Sequence, residues 1–110
     1  MKKRYKIEYG FHSWECVIEF DTSLFTPQLV DEYLKFFVWD YDKENDPYEE
    51  YAKKLAQAII IDSMEWNVEG VKDQFENAEG YPKLDGSSGV LLVRCDPWEF
   101  SDDDFEIKKL

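Results

Sequence analysis

Two neighbouring stretches of this chain alternate between apolar and mainly polar side chains. Tyr5, Ile7 and Tyr9 are interleaved with Arg4, Lys6 and Glu8, and Trp14, Cys16, Ile18 and Phe20 are interleaved with Glu15, Val17, Glu19 and Asp21. A period of two gives each stretch one apolar and one polar face, the mark of a half-buried strand. Residues 10–13, with Gly10 and Ser13, supply a turn between them, so the chain opens on a β-hairpin. Its register is set by the pattern, because a slip of one residue would turn every apolar side chain to water. A sheet with a single apolar face must be covered by other elements, and the rest of the chain is constrained to do that.

The covering elements read as helices. Thr26-Pro27 is a helix start: a threonine hydroxyl accepts from an unpaired backbone N–H, and proline occupies a first-turn position that needs no donor. Leu29, Val30, Tyr33, Leu34, Phe37 and Val38 follow at spacings of three and four, predicting an amphipathic helix to about Trp39. Asp46-Pro47 repeats the signal, with Glu49 placed to close a capping box. Tyr48, Tyr51, Ala52, Leu55, Ala58, Ile59 and Ile60 make a broad stripe for a long central helix to about Trp66. Asn67 caps a shorter third helix through about Ala78, with Val68, Val71, Phe75 and Ala78 inward. Residues 80–89, rich in glycine, form a loop, and residues 90–94 form a short branched strand. The tail from Asp96 to Ile107 alternates weakly around an acidic run and is read as a last edge strand or an extension. The expected fold is α+β: an N-terminal β-hairpin, three helices and C-terminal strand, with the helices packed on one face of a small antiparallel sheet. At 110 residues it is one domain, 1–110.

Charge restricts the partners. There are 25 acidic side chains against 13 basic ones. Lys2, Lys3, Arg4, Lys6, Lys108 and Lys109 stand at the two ends, so residues 7–107 hold only the other seven cations against every acid, a formal charge of about −18. Phosphates meeting that body would be repelled, which disfavours direct binding of nucleic acid or an anionic membrane. The apolar run Ala58, Ile59, Ile60, Ile61 is far too short to span a bilayer. The basic start resembles a signal peptide, but Glu8 and Glu15 interrupt the apolar segment such a peptide needs. The expected location is cytoplasmic. Cys16 and Cys95 are too few for a zinc site, and a disulfide between them requires their two strands to pair.

No motif points to catalysis, a metal or a cofactor. Asp40, Asp42, Glu44 and Asp46 evoke a calcium loop, but Asn45 stands where glycine is needed and Tyr51 where a bidentate glutamate is needed. His12 is the single histidine and sits in the hairpin turn beside Ser13, a placement that gives no nucleophile–base geometry. The Asp85-Gly86-Ser87-Ser88-Gly89 loop lacks the lysine of a phosphate loop and leads into a strand. Carboxylate pairs abound, and no spacing selects one. Among the large aromatics near acids, Trp39 is read as core, with Tyr41 and Trp98 as interface anchors.

Trp14-Glu15 with Ile18-Glu19-Phe20-Asp21-Thr22, Phe36-Phe37-Val38-Trp39-Asp40-Tyr41-Asp42, Asp46-Pro47, Glu79-Gly80-Tyr81-Pro82 and Leu84-Asp85-Gly86-Ser87-Ser88-Gly89 together resemble a family of small phage and prophage proteins known only as a domain of unknown function. The likeness covers most of the chain. It implies a phage or mobile-element origin and brings no activity and no catalytic residues.

Two functional expectations follow. The first is an accessory protein binding a basic, nucleic-acid-handling host protein through carboxylates that stand in for phosphates. Its candidate residues are Asp40, Asp42, Glu44, Asp46, Glu49 and Glu50 in one patch and Asp96, Trp98, Glu99, Asp102, Asp103, Asp104 and Glu106 in another. The second is a self-associating scaffold that uses the aromatic residues and an open sheet edge at residues 90–94, with the tail beyond it. Strong negative charge also has a plainer use, keeping a small domain soluble.

Overall fold

The computed structural model describes residues 1–10, 13–37 and 40–110. The alternating stretches form β1 (Lys2–Tyr9) and β2 (Trp14–Asp21), antiparallel, with Tyr5 opposite Ile18 and Ile7 opposite Cys16. β3 (Val90–Cys95) pairs antiparallel with the other side of β2, giving the order β1-β2-β3. The inward residues of β2, namely Trp14, Cys16, Ile18 and Phe20, are all but inaccessible to water. Against them lie α1 (Pro27–Phe36), α2 (Pro47–Asp62) and α3 (Val68–Phe75), so the fold is α+β with its helices on one face of the sheet. Phe20, Phe25, Tyr48 and Tyr51 form the aromatic centre, with Phe20 and Phe25 stacked at 5.8 Å between ring centroids. Leu34, Leu55, Ile59, Val71 and Leu92 fill the remainder.

Each helix begins where its cap predicts. Thr26 accepts from the Leu29 N–H, Asp46 from the Tyr48 N–H and Asn67 from the Gly70 N–H. Glu49 is exposed, and among the described residues no hydrogen bond returns from it to Asp46, so that capping box is not closed. All three helices end earlier than their apolar stripes suggest. α2 stops at Asp62 because the chain tightens into turns at Met64 and Glu65, whose N–H groups reach back to Ile61 and Asp62, before Asn67 opens α3. α3 stops at Phe75, where the Ala78 N–H reaches the Phe75 carbonyl in another turn. Val38, Trp39, Phe11 and His12 lie outside the described residues, so the core reading of Trp39 and the turn reading of His12 do too.

Two features of β3 differ from expectation. Its outer edge is covered: Leu92 donates to the Leu84 carbonyl and Gly86 to the Val90 carbonyl, each at 2.9 Å, with Asp85 bridging Leu91. The edge expected to be open at residues 90–94 is therefore covered over Val90 to Leu92. The strand also carries a bulge, since Ile18 pairs with Leu92 but Val17 pairs with Arg94, leaving Val93 as the extra residue. A bulge shifts the alternation by one. It sends Arg94 outward to Glu15 and turns Cys95 to face Cys16.

Beyond β3 the tail forms no strand. It makes one short 3-10 turn, Asp102–Asp104, and every residue from 99 onward is exposed. This extension stretches the molecule to 53 × 31 × 24 Å and its radius of gyration to 15.1 Å, against about 13 Å for a compact chain of similar length. No described helix is long and apolar enough to cross a membrane.

Candidate functional site

The first acidic patch is largely consumed by the fold. Glu50, only 3% exposed, accepts from the Asp42 backbone N–H at 2.9 Å and from the Asn45 amide at 2.8 Å, and it pairs with Lys53. Lys53 first, then those two donors, holds its carboxyl down at about 2. Glu50 thus organises the loop between α1 and α2, and its inclusion among surface charges is corrected: a buried carboxylate persists only where donors surround it. Asp46 is similarly engaged, capping α2, accepting from the Tyr5 hydroxyl at 2.7 Å and lying 3.7 Å from the Lys3 ammonium. Asp42 accepts from the Glu44 N–H in a local turn. Asp40, Asp42, Glu44 and Glu49 stay exposed.

The second patch has an anchored root and an unpaired end. The Trp14 indole donates to the Asp96 carbonyl at 2.8 Å and to the Ser63 hydroxyl at 3.2 Å. The Asp96 carboxylate accepts from the Glu15 N–H, and the Trp98 N–H meets the Ser63 carbonyl. Trp98 is half-buried, edge-on to Tyr9 at 5.9 Å. It fastens the tail to the domain. Past it, Phe100 packs edge-on against Trp98 and Phe105 packs against Phe100. Phe100 is 65% exposed, Phe105 60% and Ile107 94%. Glu99, Asp102, Asp103, Asp104 and Glu106 are exposed, and among the described residues none of them enters an ion pair.

The patches do not merge. Asp46 caps the start of α2, while Ser63, at its end, holds the root of the tail; a helix of 16 residues separates them by about 24 Å. The sequence pattern missed Ser63, which follows Asp62 after an apolar run, and it missed Phe100, Phe105 and Ile107, whose exposure depends on the tail joining no sheet.

A groove of about 690 Å³ opens between α1 and the following loop, lined by Asp31, Leu34, Lys35, Tyr41, Lys43 and neighbours. Lys35 is held by Asp31 at 2.9 Å. Among the described residues no three His, Cys, Asp or Glu side chains converge as a metal site would require. No family model, no curated protein and no solved structure matches this chain.

Proposed function

We propose that this chain is an accessory protein of phage or prophage type that binds a basic surface of a nucleic-acid-handling host protein. The observation that carries the reading is the tail: five exposed carboxylates without ion pairs, set among three exposed apolar side chains, on a segment fastened at its root by Trp14 and Trp98. Carboxylates left unpaired attract a cationic surface at long range, and apolar anchors between them supply contact area once the surfaces meet. The exposed acids at the other end of α2 extend the negative field without sharing the contact. The phage origin rests on the sequence resemblance alone.

The test compares two baits in a bacterial lysate: the native chain and a variant with Glu99→Gln, Asp102→Asn, Asp103→Asn, Asp104→Asn and Glu106→Gln. The native chain should retain a basic nucleic-acid-handling protein at low salt, lose it at high salt, and lose it to added duplex DNA. The variant should retain none of it while unfolding at the same denaturant concentration. Equal retention by both baits, or direct binding of DNA by the purified chain, would overturn the reading.

A further inference from the structure

Among the described residues β1 is an open edge, and the alternation of the backbone says which groups it offers. The Thr22 N–H donates to the Met1 carbonyl, so odd-numbered residues of β1 spend their backbone groups on β2. In an antiparallel ladder the intervening residues point theirs the other way. Lys2, Arg4, Lys6 and Glu8 therefore aim N–H and C=O groups outward from the edge. The same residues carry the cations: Lys2 and Arg4 pair with Glu19 and Lys6 with Glu8, yet the three side chains stay 66%, 58% and 57% exposed and outnumber those two carboxylates. Lysines on an edge discourage pairing with a like-charged strand. This edge thus repels another copy of itself and selects an acidic extended segment.

We infer that the β1 edge takes the acidic tail of a second copy of this chain as a fourth, antiparallel strand, two copies exchanging tails reciprocally. With Asp104 placed opposite Arg4, Asp102 falls opposite Lys6 and Glu106 opposite Lys2, so three carboxylates meet three cations on one face. Phe105 then lies on the other face, opposite Lys3 and diagonal to the half-buried Tyr5 of the helix-covered side, with Asp103 opposite Tyr5. A slip of one residue would leave the charged face a single charge pair, at Asp103, and turn Phe105 to that face. The tail from residue 99 to 107 spans about 30 Å when extended, enough for the eight residues of β1. Trp98, Phe100 and Phe105 pack on one another, and among the described residues the Asp102–Asp104 turn meets no other helix or strand of its own domain, so its own β1 edge is not where the tail lies. The 3-10 turn Asp102–Asp104 must open and the Phe100–Phe105 ring contact must part; turns of that length hold little stability of their own. Mutual exchange makes a closed two-fold dimer. The inference uses three of the same tail carboxylates but needs no host partner, and its test uses the purified chain alone.

Sedimentation of the native chain from low micromolar to near-millimolar concentration at low salt should show monomer passing to dimer, with association falling at least about tenfold in 0.5 M salt. A chain ending after Trp98 should stay monomeric throughout. Lys2→Glu with Arg4→Glu and Lys6→Glu should abolish dimerisation, as should Asp102→Lys with Asp104→Lys and Glu106→Lys. Mixing or combining the two sets should restore it. Hydrogen exchange at the amides of Lys2, Arg4, Lys6 and Glu8 should slow as the dimer forms. A monomer at every concentration, a dimer surviving tail removal, or protection of those amides that does not depend on concentration would overturn the second copy as occupant.

Discussion

The hydroxyl of Tyr5, on the strand that opens the chain, donates a 2.7 Å hydrogen bond to Asp46, the residue that caps α2. One carboxylate thereby joins the hairpin to the start of the central helix across 41 residues of sequence. Burial first, and then the Asp46 carboxylate, pushes the Tyr5 phenol well above its ordinary range, so it is a donor at every physiological pH. Tyr5→Phe keeps the ring against Phe20 and removes only the donor. Because Lys3 continues to face Asp46, the loss should be about 1–2 kcal/mol, read as a lower urea midpoint with an unchanged slope.

Glu50 makes a pH-dependent contribution of known sign. Its folded carboxyl lies near 2 against 4.5 for the ordinary value, so its stabilisation is complete above about 4.5 and disappears as pH falls toward 2. Glu50→Gln keeps one acceptor but places an amide among the Asn45 and Lys53 donors. It should destabilise by about 1–3 kcal/mol at neutral pH. Denaturant titrations of both proteins across the acid range should converge as pH drops through that window, and a gap that stayed constant would remove Glu50 as its source.

Gly89 sits where β3 begins, at φ +88°, and its carbonyl accepts from the Asp21 N–H at 2.8 Å. A methyl group added there would come within 2.6 Å of the Phe25 nitrogen and 3.0 Å of the Asp21 carbonyl. Both obstacles are backbone, which cannot rotate aside. Gly89→Ala combines left-handed strain of about 1–2 kcal/mol with that overlap, and should lower stability more than Gly86→Ala. At Gly86 φ is also positive, but the nearest atoms, of Leu91, lie 3.8 Å away. Equal loss at both sites would show that strain alone matters.

What the sequence made legible follows from the range of the forces involved. The hairpin, the helix starts and the burial of Trp14, Cys16, Ile18 and Phe20 depend on periodicity and caps, which are local, and they stand where the pattern put them. The role of Glu50 was not legible, because one turn of acids looks alike whether its side chains face water or the Asp42 and Asn45 donors. Nor was the covered edge of β3, since Leu84 and Asp85 reach it through backbone groups that carry no side-chain signature. The tail was ambiguous for the opposite reason. Its weak alternation suits a strand, yet the edge of β3 that it would have extended is already occupied.

The bulge at Val93 brings the two cysteines together, and oxidation should reveal it. The Asp96 N–H donates to the Glu15 carbonyl, which makes Cys16 and Cys95 a pair without mutual hydrogen bonds. Such pairs hold their Cα atoms about 4.5 Å apart, inside the span a disulfide bridges. Both thiols are reduced in this structure, and burial pushes them up, Cys16 to about 12 and Cys95 to about 11. At neutral pH few thiolates are present to start the exchange. Cys95, only half-buried, is the one that glutathione disulfide can reach. Its thiolate should displace one glutathione, and Cys16 should then displace the second, so that two thiols lose two protons and two electrons and the reagent becomes two glutathione thiols. Mass spectrometry of the treated chain should show the loss of two hydrogens with β2 and β3 peptides joined. The rate should rise about tenfold for each pH unit below the Cys95 value, where thiolate is the limiting species. Cys16→Ser should stop at the mixed disulfide on Cys95. Deleting Val93, which would place Cys95 out of register with Cys16, should abolish the bridge. A bridge that formed without Val93 would mean that the bulge does not set the pairing of these strands.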